Sequence, residues 1–370
     1  MLPHSFASDN YAGVHPDVLA AISSANAGHA PAYGDDAQTA ELQRMAADLF
    51  GDGAVALPVF NGTAANVLAL MASCQRWEAV ICAETAHVHC DEGGAPEKAA
   101  GLKLWPVACA SGDGKLTPAA LASALVAGGP RDNVHRAQPG AVTIANTTEM
   151  GTIYSAAEVR ALADAAHGAG LVLHMDGARL ANAAAALRAP LRAFTTDAGV
   201  DVLSLGGTKI GGMGAEAVVL LPRAGARAPP ALAASLPFLR KTFMQLGSKM
   251  RFISAQLLAL YEPRQALALR LAAHANAMAA RLEAGLRRIP GVRLPTACAA
   301  NAVFPILPPA VTAELRKTFR FYTWEEATGQ LRWMCSWDTT EAAVDALLEA
   351  TRAAMAEHAR AGAGAAATPE

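Results

Sequence analysis

Charge is scarce in this sequence. Asp, Glu, Lys and Arg make up 17% of the 370 residues, and the formal net charge is −2. A polyanion partner therefore has nothing to hold. The short basic pairs Arg287-Arg288 and Arg316-Lys317 fall in helical patterns, as solvated faces do, and no nucleic-acid partner is expected. Long apolar runs are also missing. Stretches such as Ala183–Leu187 break off well short of the roughly 20 residues that span a bilayer. The start, Met1-Leu-Pro-His-Ser-Phe6, has no basic region leading into an apolar core, so neither a membrane segment nor a signal peptide is expected. The six cysteines (74, 82, 90, 109, 298 and 335) form no CxxC pair and several sit in apolar runs. That pattern suits a reducing cytoplasm better than a disulfide framework. No GxGxxG follows a strand pattern, and no Gly-Lys-Ser/Thr closes a glycine loop, which leaves nicotinamide and nucleoside-triphosphate readings without support. There are no repeats, and no linker is long enough to separate independent modules.

What the sequence does have is apolar mass: 53% of its residues are hydrophobic. A chain of this length favours one large and one smaller domain over a single small core. Residues 1–34 read as an extended arm with one helix over Pro16–Ala27. Such an arm packs over a site or a neighbouring subunit, or is a plain tail. Residues 35–245 alternate short apolar strands (54–60, 80–83, 102–107, 141–145, 171–176, 202–205, 217–221) with helical patterns such as 64–74 and 156–168. This alternation predicts an α/β domain with a mostly parallel sheet. Residues 223–230, rich in Pro and Ala, are expected to loop out. Residues 246–360 read as a smaller α+β domain, opened by a helical pattern over Phe243–Leu260 and continued by helix 266–288 and strands near 302–306 and 331–337. The Ala/Gly tail at 361–370 is expected to be disordered.

Polar residues gather where these strands end. Asn61-Gly62-Thr63 follows a strand and opens a helix, an arrangement that offers free N–H groups and a positive helix end to a single phosphate. Asp35 and Asp36 suit the first turn of a helix, a simpler account than a metal. His87 and His89 alternate, so on an extended segment they share a face. They could ligate zinc with Asp91 or Cys90, lie against a planar ligand, act as acid or base, or have no role. Asp176 ends an apolar strand, where a carboxylate requires a cation: Arg179 or a protonated heterocycle. Lys209 follows the next strand after Gly206-Gly207, at the edge where open α/β sheets collect ligands. In isolation it is a surface charge or an amine held for covalent chemistry. Taken together, a phosphate-suited helix start, an acid, a lysine and a histidine meet the needs of pyridoxal 5'-phosphate. On that reading Gly206 and Gly207 leave room for the cofactor, and no metal is expected.

The sequence resembles the threonine aldolases of the β-eliminating lyase group, within the aminotransferase-like class of pyridoxal enzymes. The resemblance runs from Ser8 to about Asp338. It is carried by Ala7-Ser8-Asp9-Asn10, Tyr33-Gly34-Asp35-Asp36, Asn61-Gly62-Thr63-Ala64-Ala65-Asn66, Thr85-Ala86-His87, His174-Met175-Asp176-Gly177-Ala178-Arg179, Gly206-Gly207-Thr208-Lys209 and Arg332-Trp-Met-Cys-Ser-Trp-Asp338. It implies Lys209 as the covalent lysine, Asp176 as the pyridinium partner, Gly62 and Thr63 on the phosphate, and His87 stacked on the ring. Ser8, Arg179 and Arg332 would hold the substrate carboxylate, with Arg179 also at the cofactor, and His135 would stand near the substrate's β-hydroxyl. His87 or His135 would take the hydroxyl proton.

The resemblance also implies retro-aldol cleavage of β-hydroxy-α-amino acids, such as L-threonine and L-allo-threonine, to glycine and an aldehyde. A homo-oligomer, commonly a tetramer, with shared sites is expected too, and Lys249 or Arg251 could reach a neighbour's phosphate. Two departures stand out. Thr147-Thr148-Glu149-Met150 replaces a stretch where several relatives carry a histidine, and Ile210 replaces a common polar residue. Rival readings are phenylserine cleavage, serine hydroxymethyl transfer, a zinc hydrolase using His87-Val-His89, and a non-enzymatic pyridoxal-fold regulator.

Overall fold

The computed structural model describes residues 5–222, 230–264 and 266–366. It divides into two compact units, residues 14–270 and residues 1–13 joined with 271–370. The split differs from the expected boundary at 246 and gives the two halves of the N-terminal arm to different units.

In the larger unit, α1 (Pro16–Ala25) and α2 (Ala37–Phe50) precede the sheet. Asp36 caps α2, accepting the Thr39 N–H at 2.8 Å, and Leu42, Met45, Ala46 and Phe50 recur on its buried face. The chain then runs β1 (Val55–Val59), α3 (Gly62–Ser73), β2 (Glu78–Ala83), α4 (His87–Cys90), α5 (Ala95–Lys98), β3 (Lys103–Val107), α6 (Pro118–Gly128) and β4 (Gln138–Ala145). It continues through α7 (Ala156–Gly168), β5 (Val172–Gly177), α8 (Leu180–Leu187), β6 (Val202–Gly206), β7 (Glu216–Leu220), α9 (Pro230–Thr242) and α10 (Arg251–Tyr261). The seven strands lie in the order β1-β7-β6-β5-β4-β2-β3. β2 to β6 are mutually parallel, whereas β7 runs antiparallel to both β6 and β1. Every residue of β5, β6 and β7 is buried. Strands covered on both faces have this character, which is why they read as continuous apolar runs.

One expectation fails in this unit. The pattern over Phe243–Leu260 is not one helix. α9 occupies 230–242, and a turn through Met244, at φ 60°, precedes α10. Gly247 lies against the Phe60 ring, where a Cβ would come within 2.6 Å, so the segment packs as a turn on β1's exit. The loop expected at 223–230 lies outside the described residues up to 229.

The smaller unit holds most of α11 (Leu267–Leu286), β8 (Ala302–Val303), α12 (Pro309–Leu315), β9 (Tyr322–Glu325), β10 (Gln330–Met334) and α13 (Glu341–Ala366). Its sheet is antiparallel, in the order β8-β10-β9. Residues 5–8 are built into it. Ser5 bridges Arg320, the Phe6 N–H donates to the Arg320 carbonyl at 2.8 Å, and the Phe6 carbonyl accepts the Met334 N–H at 2.8 Å. Phe6, 1% exposed, joins Leu282, Trp333, Val344 and Leu347 in the core. Residues 5–8 are thus not a loose tail. The Ala/Gly stretch expected to be disordered continues α13 as far as Ala366, in keeping with alanine's helix propensity; 367–370 lie outside the described residues.

Candidate active site

Asp176 and Lys209 stand at the ends of neighbouring parallel strands, β5 and β6, which pair with Asp176 opposite Ser204. The Asp176 side chain is buried. Its Oδ1 accepts the Ala178 N–H at 2.9 Å, and its Oδ2 accepts from Asn66 Nδ2 at 2.9 Å. Burial alone would raise this carboxyl. The charge of Lys209, the Ala178 N–H, His87 and Asn66 outweigh it and hold Asp176 below the usual carboxylate range. A cation beside Asp176 is expected from the sequence, and the Lys209 charge is the strongest of the influences that lower its pKa.

His87 does not share a face with His89. Residues 87–90 form α4, where positions two apart diverge, and His89 is exposed. His87 instead turns to Glu92, with Nδ1 2.8 Å from Oε1. The Glu92 side chain has no solvent exposure. Its Oε1 also accepts from Asn66 Nδ2 at 2.8 Å, so one amide nitrogen bridges Glu92 and Asp176. The Glu92 hydrogen bond raises the His87 pKa against burial, with Glu149 and Asp176 adding to the rise. Burial raises Glu92 in turn, against the hydrogen bonds from His87 and Asn66.

Possible ligand atoms of His87, Glu92 and Asp176 lie within 4.8 Å of one another, the spacing of a metal site. The Asn66 amide stands between the two carboxylates as their shared donor, where a cation would be needed, and accounts for their approach without one. Among the described residues Glu92 Oε2 and Asn66 Oδ1 remain buried without hydrogen-bond partners, free to accept from a ligand.

Neither Asn66 nor Glu92 was singled out from sequence. Asn66 is a lone polar residue inside the buried apolar run of α3, and that interruption was the available signal. His174, two residues before Asp176, was also passed over. It bonds Thr143 Oγ1 at 2.7 Å and Ser204 Oγ at 3.0 Å, and burial lowers its pKa to about 4 against the pull of Asp176. Near neutral pH it is an uncharged brace between β4, β5 and β6.

Gly62 and Thr63 open α3, two residues earlier than expected. Asn61 caps it by accepting the Ala64 N–H at 2.8 Å, and the Gly62 and Thr63 N–H groups have no acceptor within the helix. No heavy atom lies within 4 Å of a Cβ placed on Gly62, so the helix start is open. Gly206 and Gly207 have a different reason from the one expected. A Cβ on Gly206 would come within 2.5 Å of the Ala178 carbonyl, and one on Gly207 within 2.5 Å of the Ala215 carbonyl. They admit neighbouring backbone, not a cofactor.

The remaining expected residues fall in both units. Arg179 is buried at the N-cap of α8. His135 is exposed and precedes β4, whose far end, Ala145, is the residue paired with Asp176. His135 and Asp176 therefore occupy opposite ends of adjacent parallel strands, and within one chain His135 does not join the site. Lys249 is exposed, and Arg251 donates to the Gly28 carbonyl at 3.4 Å. Ser8 and Arg332 belong to the smaller unit. Ser8 caps a short turn by accepting the Asn10 N–H at 3.2 Å. The Arg332 guanidinium lies 4.5 Å from the Trp324 ring centre and 5.5 Å from that of Tyr322, and donates to the Ala7 carbonyl at 3.3 Å. In the departing stretch, Thr148 bonds Thr152 at 2.8 Å and fills a structural place.

A lysine and a low-pKa buried acid beyond adjacent parallel strands of an α/β sheet suit the pyridoxal chemistry expected from the sequence. The chain belongs to the beta-eliminating lyase family, whose model matches residues 5–307. It is 44% identical over 352 residues to the low specificity L-threonine aldolase of Pseudomonas sp. strain NCIMB 10558, covering 95% of this chain and 97% of that one. It is 42% identical over 336 residues to the protein of the same name from Pseudomonas aeruginosa, with coverage of 90% and 93%. Among solved structures, Leishmania major threonine aldolase superposes with a TM-score of 0.86 at 33% identity, over 95% of this chain and all of that one. The expected α/β architecture and family are both borne out.

Proposed function

We propose that this chain cleaves β-hydroxy-α-amino acids between Cα and Cβ, releasing glycine and an aldehyde, with L-threonine and L-allo-threonine as substrates. The observation that carries the reading is the buried Asp176 carboxyl held low by the Lys209 charge, in a chain so similar to low specificity L-threonine aldolases. Pyridoxal 5'-phosphate fits these residues. A carboxylate held low inside the protein matches a protonated ring nitrogen, and the open start of α3 suits a phosphate. When bound, the cofactor supplies the electron sink for carbon–carbon cleavage.

The chain's own residues do the rest. Lys209 provides the amine that holds the cofactor's aldehyde, and Asp176 keeps the ring-nitrogen proton in place. Gly62 and Thr63 donate to the phosphate, with His87 against the ring. Ser8, Arg179 and Arg332 bind the substrate carboxylate, for which guanidinium forks are better matched than ammonium groups. With Nδ1 engaged by Glu92, His87 exchanges a proton through Nε2 and takes the one on the β-hydroxyl, directly or through water. His135 has no part in this scheme within one chain.

The assembly we expect is a homo-oligomer, a tetramer, working in the cytoplasm. Among the described residues no helix is long and apolar enough to cross a membrane, and sedimentation of the purified protein measures the rest. The decisive experiment is to offer threonine, allo-threonine and phenylserine to the purified protein and measure each aldehyde. A yellow protein whose colour shifts with glycine and which releases acetaldehyde supports the reading, and Lys209→Ala should abolish both signals. Release of benzaldehyde alone would move the substrate to phenylserine, and normal turnover by Lys209→Ala would refute the scheme.

A further inference from the structure

The turn that carries Lys209 is gripped from behind by an acid with no part in the scheme above. Glu216 opens β7 opposite Gly206 of β6 and is 5% exposed. Its Oε2 accepts the Gly207 N–H and its Oε1 the Thr208 N–H, each at 3.2 Å. The grip is reciprocal, because the Ala215 N–H donates to Thr208 Oγ1 at 3.2 Å. Two further bonds close the turn: the Tyr261 hydroxyl donates to the Gly206 carbonyl, and the Gly212 N–H donates to the Gly207 carbonyl at 2.9 Å. Lys209 is therefore the residue immediately after two backbone N–H groups held by one carboxylate.

A buried carboxylate is expensive unless donors or a cation compensate it. At this position an apolar residue would continue β7, whose other residues are Ala217, Val218, Val219 and Leu220. We infer that Glu216 is a positioning residue for Lys209, fixing through Gly207 and Thr208 where the lysine amine stands and placing a negative charge behind it. Burial raises the Glu216 carboxyl to about 7, against Thr208, Lys209 and Gly207, which lower it. Lys209 from the turn and Tyr261 from α10 are the titratable groups that act on it or feel it among the described residues. The inference rests on Lys209 as the covalent amine.

The test uses the protein loaded with pyridoxal phosphate, as the parent, E216Q, E216A, K209A and the K209A/E216A double variant. Two quantities are read: the midpoint pH of the visible band and the dissociation constant of the cofactor. Loss of the acid should lower the midpoint by about one pH unit in both E216Q and E216A. Cofactor retention should weaken roughly 10- to 100-fold in E216A, with E216Q, which keeps one acceptor, in between. Adding E216A to K209A should change retention by less than about twofold, because the residue acted on is gone. An unmoved midpoint and unchanged retention overturn the inference, as does equal weakening with and without Lys209, which would make Glu216 a general staple. Should E216A fail to fold, E216Q and K209A/E216Q carry the same comparison. Cofactor that borohydride still fixes covalently to K209A refutes the role of Lys209 itself, an outcome distinct from all of these.

Discussion

His87 Nδ1 lies 2.8 Å from a Glu92 oxygen that is sealed from solvent, so the histidine's protonation is set by an acid that never meets water. Glu92→Gln removes the largest influence raising the His87 pKa. An NMR titration of the imidazole should show that pKa falling. Threonine cleavage should drop roughly 10- to 100-fold, the range for losing a group that orients a functional histidine. An unmoved His87 titration would mean that Glu149 and Asp176 set the charge instead.

Glu216 makes stability depend on pH with a definite sign. Its folded pKa, about 7, exceeds the ordinary 4.5, so the folded form binds more protons across that interval. Stability of the apoprotein should therefore decline as pH rises from about 4.5 through 7. The full effect is at most roughly 3 kcal/mol. Urea denaturation of parent and Glu216→Gln at pH 5 and pH 8 checks this, and the variant should lose this share of the difference.

Arg332 lies across Trp324 at 4.5 Å and Tyr322 at 5.5 Å, faces that restrict a long side chain before any ligand arrives. Contacts of this kind are worth about 0.5–2 kcal/mol. If Arg332 binds the substrate carboxylate, Trp324→Ala should raise KM for threonine by roughly 2- to 30-fold with kcat less affected, and Trp324→Phe should recover part of the loss. Equal falls in kcat and no change in KM would argue against that role.

Phe6 is 1% exposed and stands 6.4 Å, ring centre to ring centre, from Phe319. Phe6→Ala should destabilise the protein by about 3–5 kcal/mol, the usual loss for emptying an aromatic core position. Chemical denaturation measures this. A loss within about 0.5 kcal/mol would mean that the arm is dispensable after all.

Much of this was legible in the sequence because strand ends, glycine turns and capped helices are local signals. Asp176, Lys209 and the helix start at Gly62 stand where their strands terminate, and short-range patterns locate such ends. The errors come from contacts that only the fold supplies. His87 and His89 alternate, but alternation puts residues on one face only in an extended segment, and here both lie in the four-residue helix α4. Asn66 looks like one polar residue in an apolar helix until Asp176, 110 positions later, accepts its amide. Gly206 and Gly207 advertise close approach without saying what approaches, and it is the backbone of Ala178 and Ala215. The Ala/Gly tail carries both a low-complexity and a helical signal, and α13 follows the second.

The Phe6 carbonyl finds its donor in Met334, so a residue made early is held by one made 328 positions later. Until β10 leaves the ribosome, the aromatic ring destined for that core is exposed, while nearly the whole of the larger unit has already been made. Closing a contact between such distant residues is slow in general, and apolar segments waiting for partners are prone to aggregation. A chain cut before β10 would leave Phe6 without its cover, an apolar ring open to aggregation.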